Sequence, residues 1–239
     1  MSGGDFLEIK GMSFSGNRSV NEDCIFYRTE GDKTVAVVAD GLGGCEDGDT
    51  ASRKVIDIFR IQMPVERDEI LKSIRLANEE LYHEKNHAKG MKSTVVALGI
   101  QADQVCYGHV GDSRLYYFLD NQLIFRSMDH SVTQLAVLSG EIKEDEMRFH
   151  EDRNKLLRAI GADEKVKPAT MEFDNLKKGR HIFLLCTDGF WEYVTEKEML
   201  NCVKRGTAEK VCEKLGKRWK KNTYKKDIVD NSSFIVVVA

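Results

Sequence analysis

Proline is almost missing from this chain of 239 residues, with Pro64 and Pro168 the only two. No Gly/Ser-rich spacer, internal repeat or low-complexity tract divides it, so the sequence predicts one domain over residues 1–239. No apolar run approaches the roughly 20 residues a membrane helix needs. The opening MSGGDFLEIKG has neither the basic-then-apolar build of a secretion signal nor a glycine directly after the initiator. A cytoplasmic protein without membrane contact is expected. CxxC pairs are also lacking: Cys24, Cys45, Cys106, Cys186, Cys202 and Cys212 are scattered, three of them in or beside apolar runs. They read as reduced, mostly buried small hydrophobes. Excess charge of one sign is small, 36 Lys and Arg against 39 Asp and Glu, which leaves no field to gather nucleic acid. The local cluster Lys217, Arg218, Lys220, Lys221, Lys225 and Lys226 reads as the solvated face and end of a helix. With 41% hydrophobic and 31% charged residues, disorder is excluded and a sizeable core is available.

What the chain does have is a repeated ending. Three strand-forming runs stop at an aspartate flanked by glycine: TVAVVADGLGG at Asp40, QVCYGHVGDSR at Asp112 and HIFLLCTDGF at Asp188. A fourth reads in reverse, with Asp230 and Asn231 just before SSFIVVVA. A strand fixes the backbone, and glycine permits a tight bend or close approach of another backbone. Carboxylates gathered at one sheet edge repel unless something positive lies between them. Hard divalent cations, which prefer oxygen donors, would fill that role.

The remaining pattern predicts a strand near 34–39, a helix starting at about Asp47–Thr50 where Asp and Thr can cap it, and a helix over roughly 67–88. In that second helix Ile70, Ile74, Ala77 and Leu81 form one apolar stripe. Strands near 93–100, 104–110, 113–118 and 122–126 read as an antiparallel meander, followed by a short helix from Ser131. Segment 141–155 is densely charged and reads as a mobile surface flap. Strands near 169–173 and 181–187, helices near 196–205 and 207–221, and a strand at 233–238 complete the expectation of antiparallel sheets covered by helices.

Singly, each Asp-Gly is a common turn. The ordered set is far more specific: Arg18-Ser19-Val20-Asn21-Glu22-Asp23, Ala39-Asp40-Gly41-Leu42-Gly43-Gly44, Gly48-Asp49-Thr50-Ala51-Ser52, Val110-Gly111-Asp112-Ser113-Arg114, Asp129-His130-Ser131, Arg158-Ala159-Ile160-Gly161, Thr187-Asp188-Gly189 and Asp230-Asn231. In this order, from about residue 10 to 238, the chain resembles the metal-dependent protein phosphatases of type 2C, in their bacterial, bare catalytic form. The resemblance implies an α+β fold, a four-layer α-β-β-α sandwich of two antiparallel sheets flanked by helices. It also implies hydrolysis of phosphoserine and phosphothreonine in proteins by a metal-bridged hydroxide, with phosphoproteins and an opposing Ser/Thr kinase as partners and a monomeric enzyme.

Carried over by motif, Asp40 resembles the carboxylate bridging two Mn2+ or Mg2+ ions, with the Gly41 carbonyl on one of them. Asp188 and Asp230 resemble ligands of the first ion, and Glu22 the acid that holds the second through water. Asp112 resembles a ligand of a third, weaker ion, and Arg18 the residue that grips the substrate phosphate. Asp23, Glu192 and Asn231 stand in supporting positions around these ligands.

The chain departs from the family pattern in places. Leu42 stands where many members carry a histidine, so water polarised by the third ion is the expected acid for the leaving oxygen. Lys92-Ser93-Thr94 replaces a Gly-Thr-Thr run, and Glu192 stands where an aspartate is frequent. A rival pattern, H-E-x-x-H over His83-Glu84-Lys85-Asn86-His87, matches zinc metalloproteases. Both histidines fall roughly two hundred degrees around the helix from its apolar stripe, which makes a chance match on an exposed face the better reading. His130 reads as a structural hydrogen-bonding residue at a helix start. Two alternatives remain at this stage, a catalytically silent signalling module and a hydrolase of small phosphate esters. The first would have lost metal acids, and none is lost; the second needs a substrate comparison.

Overall fold

The computed structural model describes residues 7–42, 47–83, 90–173, 176 and 179–239. Its centre is built from strands whose apolar residues fill both faces. In β3 (Lys33–Leu42), Val35, Val37 and Ala39 point one way and Ala36 and Val38 the other, and all five are fully buried. β5 (Val95–Gln101), β6 (Gln104–Val110), β10 (His181–Cys186) and β11 (Ser232–Val238) divide their side chains the same way. Such runs have no solvent side, so they occupy the middle of sheets with cover on both faces.

One sheet has the order β1 (Glu8–Phe14), β11, β10, β7 (Arg114–Leu119), β8 (Gln122–Arg126). The other runs β2 (Asp23–Glu30), β3, β5, β6, β9 (Ala169–Phe173), with the short β4 (Lys92–Ser93) added beside the end of β3. Every pairing is antiparallel. The sheets face each other across a shared layer that includes Val38, Leu98, Tyr107, Leu115, Tyr117, Phe183, Ile235 and Val237. Helices α1 (Gly48–Gln62) and α2 (Arg67–His83) cover the β3 sheet through Val55, Ile56, Phe59, Ile70, Ile74 and Leu81. On the far side α4 (Asp188–Trp191), α5 (Glu196–Val203) and α6 (Ala208–Thr223) cover the β10 sheet, and Phe14 stacks on Trp219 with centroids 4.7 Å apart. The α-β-β-α order of layers follows. Truncating a buried residue such as Leu184 to alanine would cost about 2–5 kcal/mol.

Several expectations change. The four strands over 93–126 are not one meander: β6 and β7 lie in different sheets, and the turn Gly111-Asp112-Ser113 carries the chain from one to the other. Gly111 makes that turn at φ +104°, where a Cβ would also meet Thr94 at 2.7 Å. The strand expected at 93–100 breaks at Thr94, whose backbone N–H turns to the Asp40 carbonyl at 2.8 Å. β1 and β2 were not expected at all, and neither was the single turn α4. The expected cap on α1 is not made: Asp47 occupies the position with no side-chain hydrogen bond.

α3 (Val132–Leu138) begins as expected at Ser131, whose hydroxyl accepts from the Gln134 N–H at 3.2 Å. The charged stretch 141–155 is docked rather than loose. It forms a 3-10 turn over Glu144–Phe149 with Met147 and Arg148 buried, and Arg148 forks onto Glu196 at 2.7 and 2.6 Å while Arg153 reaches Glu192 at 3.2 Å. Cys106, Cys186, Cys202 and Cys212 are buried free thiols, and Cys24 is half-buried. Gly43, Gly44, Cys45, Glu84 and His87 lie outside the described residues, and His83 is exposed.

Candidate functional site

The acids singled out in the sequence sit at one end of the sandwich because antiparallel neighbours bring those ends together. Asp40 is near the end of β3 and pairs in register with Asp23, the first residue of β2. Asp188 follows β10, Asp230 precedes β11 and Asp112 precedes β7, and those three strands are neighbours in the other sheet.

Hydroxyls and amides lock this end. The Asp40 N–H donates to Thr94 Oγ1 at 3.1 Å, and the Asp40 carbonyl accepts from the Thr94 N–H at 2.8 Å and from Ser93 Oγ at 2.9 Å. Ser93-Thr94 therefore supplies the hydroxyls that fix Asp40, although the residue before them is a lysine. The Thr187 hydroxyl donates to Asp23 Oδ2 at 3.0 Å and ties the two sheets beneath the acids. Asn231 staples the loop carrying Arg18 and Glu22: its Oδ1 accepts from the Glu22 N–H at 2.8 Å, and its Nδ2 donates to the Ser15 and Val20 carbonyls at 3.0 Å each.

Two glycines have steric reasons. A Cβ on Gly41 would lie 1.8 Å from the Gly48 carbonyl oxygen, and one on Gly48 would lie 2.3 Å from Glu22 Oε1. The first turn of α1 thus rests directly on Gly41, and the Gly48 N–H donates to the Glu22 carboxylate. That contact takes the place of the expected side-chain cap. Gly189 is bare for the same reason, since a Cβ there would meet the Asn231 carbonyl oxygen at 1.9 Å.

Asp112 is anchored from below. Its carbonyl accepts from Trp191 Nε1 at 3.0 Å. The Trp191 ring carries the Arg114 guanidinium 3.4 Å from its centroid, and Arg114 forks onto Asp129 at 2.8 and 2.7 Å. Arg114 and Asp129 belong to motifs noted in the sequence and Trp191 follows one, but nothing there gives them a role. The His130 expectation takes a definite form: Gly111 donates its N–H to His130 Nδ1 at 3.2 Å, and the ring stacks on His109 at 4.5 Å.

Electrostatically the cluster is strained. Burial, with the charges of Asp188, Asp23 and Asp112 around it, holds the Asp40 carboxyl well above the usual carboxylate range. Asp112 is pushed well up by burial and by Asp188 and Asp129, and Asp188 is raised by burial and by Asp230. Burial pushes Asp23 up to about 8, and burial with the nearby Asp188 does the same to Glu192. Glu22 is raised by burial and by Asp230. Asp40 and Asp188 lie against each other, so each carboxyl opposes ionisation of the other. Arg18 sits at the rim, half-exposed, with its guanidinium 2.8 Å from Asp230 Oδ2.

Cations among these carboxyls would relieve the repulsion. Among the described residues no three carboxylate, imidazole or thiolate side chains close on one point as a complete cage. Small hard ions do not require one, since Mg2+ keeps several waters and takes only one or two protein carboxylates. The donors here are carboxylates and backbone carbonyls with no thiolate among them, so the residues fit hard divalent ions.

Comparison with known proteins identifies the family and the fold. The family model described as protein phosphatase 2C matches residues 10–228. The serine/threonine phosphatase stp of Listeria welshimeri is 32% identical over 198 residues, covering 77% of this chain and 78% of that relative. The crystal structure of serine/threonine phosphatase Stp1 from Staphylococcus aureus superposes with a TM-score of 0.87 at 28% identity, covering 100% of this chain and 97% of that one. The catalytic domain of the phosphatase PstP, solved in complex with two manganese ions, shares the fold with a TM-score of 0.82 at 23% identity over 98% of both chains.

Proposed function

We infer the reaction of this chain from its membership: it belongs to the protein phosphatase 2C family, and it is a protein serine/threonine phosphatase. The observation that carries the mechanism is the convergence of Asp40, Asp112, Asp188 and Asp230 at one end of the sandwich, with Arg18 at its rim. In this reading Asp40, Asp188, Asp230 and the Gly41 carbonyl would hold divalent ions, with Glu22 contributing through water and Asp112 to a further, weaker site. Mn2+ or Mg2+ bound there would lower the pKa of a shared water and screen the phosphate it attacks.

The protein groups orient and exclude. Arg18 offers the phosphate a planar, charged fork of N–H donors. Asn231 and Asp23 hold the loop and strand that carry Glu22 and Asp40, and Glu192 backs Asp188. Leu42 has no proton to give, so the departing serine or threonine oxygen takes its proton from water. The reading extends to a single catalytic domain that acts as a monomer on phosphoproteins in the cytoplasm, opposite a Ser/Thr kinase. Among the described residues no helix is long and apolar enough to cross a membrane.

The test is hydrolysis of phosphoserine, phosphothreonine and phosphotyrosine peptides by chelated enzyme, before and after adding Mn2+. Turnover of the first two only with Mn2+ is expected. Full activity after exhaustive chelation would overturn the metal assignment, and a preference for phosphotyrosine would overturn the substrate assignment.

A further inference from the structure

Beside the acid cluster the surface changes sign. A cavity of about 460 Å³ opens between Leu42, at the end of β3, and the segment 154–162. Lys92, Arg158 and Asn154 supply its polar groups, while Leu42, Leu157 and Ala159 give apolar wall, and none of the described lining residues is acidic. Lys92 and Arg158 are both exposed. Arg158 donates one N–H to the Lys167 carbonyl at 3.1 Å. No carboxylate of a described residue lies within ion-pair distance of either cation. In a chain with more acids than bases, two cations facing one cavity with no carboxylate partner among the described residues make a site for an anion.

The cavity is also braced on the catalytic strand. Leu42 pairs with Lys92 and Gly41 with Ser93, and the Ser93 hydroxyl holds the Asp40 carbonyl. Ser93 and Ile160 exchange backbone hydrogen bonds at 3.1 and 2.8 Å, which fixes the stretch bearing Arg158 to the same ladder. Leu42 lies two residues beyond Asp40, about 7 Å along a strand. An extended peptide advances at nearly the same pitch. A phosphoresidue over the acids would therefore place a side chain two or three positions away at this cavity.

Resting on the phosphatase reading, we propose that the cavity is a substrate subsite for an anionic side chain, a carboxylate or a second phosphate, two or three residues from the phosphoserine or phosphothreonine. The stem of such a side chain lies against Leu42, Leu157 and Ala159 while its head meets Lys92, Arg158 and the Asn154 amide. Selection falls on acidic or multiply phosphorylated segments, on top of the recognition of the phosphate itself.

The experiment compares phosphothreonine peptides whose flanking residues are alanine, glutamate or phosphoserine at two or three positions on either side, measured as kcat/KM with Mn2+. An advantage of about fivefold to tenfold over the alanine peptide is expected on one side, as charge-assisted bonds to exposed cations allow. A gain with glutamate assigns the site to carboxylates, and a gain confined to the second phosphate assigns it to phosphates. In the variant Lys92→Glu with Arg158→Glu the order should invert, with lysine-flanked peptides now ahead of glutamate-flanked ones, a gain that simple damage to the fold would not produce. Equal kcat/KM for all wild-type peptides, or an acid preference that survives in the double variant, would overturn the subsite. Release of phosphate from the alanine peptide tests the phosphatase reading separately: if that reaction fails, the reading falls and the subsite with it, whereas if it proceeds without acid preference only the subsite falls.

Discussion

Arg18 shows what the acids do to their surroundings. It lies on Asp230 with about half of its side chain exposed, a position open to a phosphate on its outer side. Replacing it with alanine removes charge-assisted hydrogen bonds worth about 1.5–3 kcal/mol, so kcat/KM on a phosphothreonine peptide should fall roughly tenfold to a hundredfold. The same kinetics in Arg18→Ala and wild type would remove Arg18 from phosphate binding. At this scale the sequence was most legible where a residue type has one chemical use: Asp40, Asp188 and Asp230 stand out because carboxylates flanked by glycine or asparagine close apolar runs. Gly48 and Thr187 were harder to interpret. Their work is done on Glu22 and Asp23, partners far off in sequence, and no local pattern records such contacts.

Among the elements, the β6–β7 turn carries the most consequence. Gly111-Asp112-Ser113 looks like a hairpin turn locally, and only the packing of the two sheets reveals that it crosses between them. β1 and β2 were missed for a related reason: Gly11 and Ser13 interrupt the apolar alternation of β1, and Arg28, Thr29 and Glu30 leave the end of β2 polar and exposed. Strands with both faces covered, such as β3 and β10, were legible because nothing polar dilutes them. The crossing turn is held by the buried Arg114–Asp129 pair, whose side chains are 3% and 1% exposed. Removing one member leaves an uncompensated buried charge, so Asp129→Ala should cost about 3–5 kcal/mol in urea unfolding. The double variant Arg114→Met with Asp129→Leu should lose less than Asp129→Ala, because it removes both charges. If Asp129→Ala unfolds like wild type, the pair does not brace the turn.

On the scale of the whole molecule, the two sheets are joined at one end by groups that repel. Val38, Leu98, Phe183 and Ile235 bind the sheets through their shared apolar layer, while Asp40, Asp112 and Asp188 oppose one another at its edge. Stability surrendered at a site in this way is recovered when its ligand binds the folded state alone. Mn2+ at a hundred times its Kd should add about 2.7 kcal/mol, raising the Tm by roughly 5–10 °C in a chain of this size. Asp40→Asn should separate the two effects. The amide relieves repulsion from Asp188, Asp23 and Asp112, so the metal-free variant should melt no lower than metal-free wild type. It cannot supply the negative charge that the proposed metal site requires, so most of the Mn2+-dependent rise should vanish together with turnover. Calorimetric melting of both proteins with and without Mn2+ checks this. An equal rise in the two would put the ions elsewhere, and a metal-free variant well below wild type would make Asp40 a structural acid whose loss the fold cannot absorb.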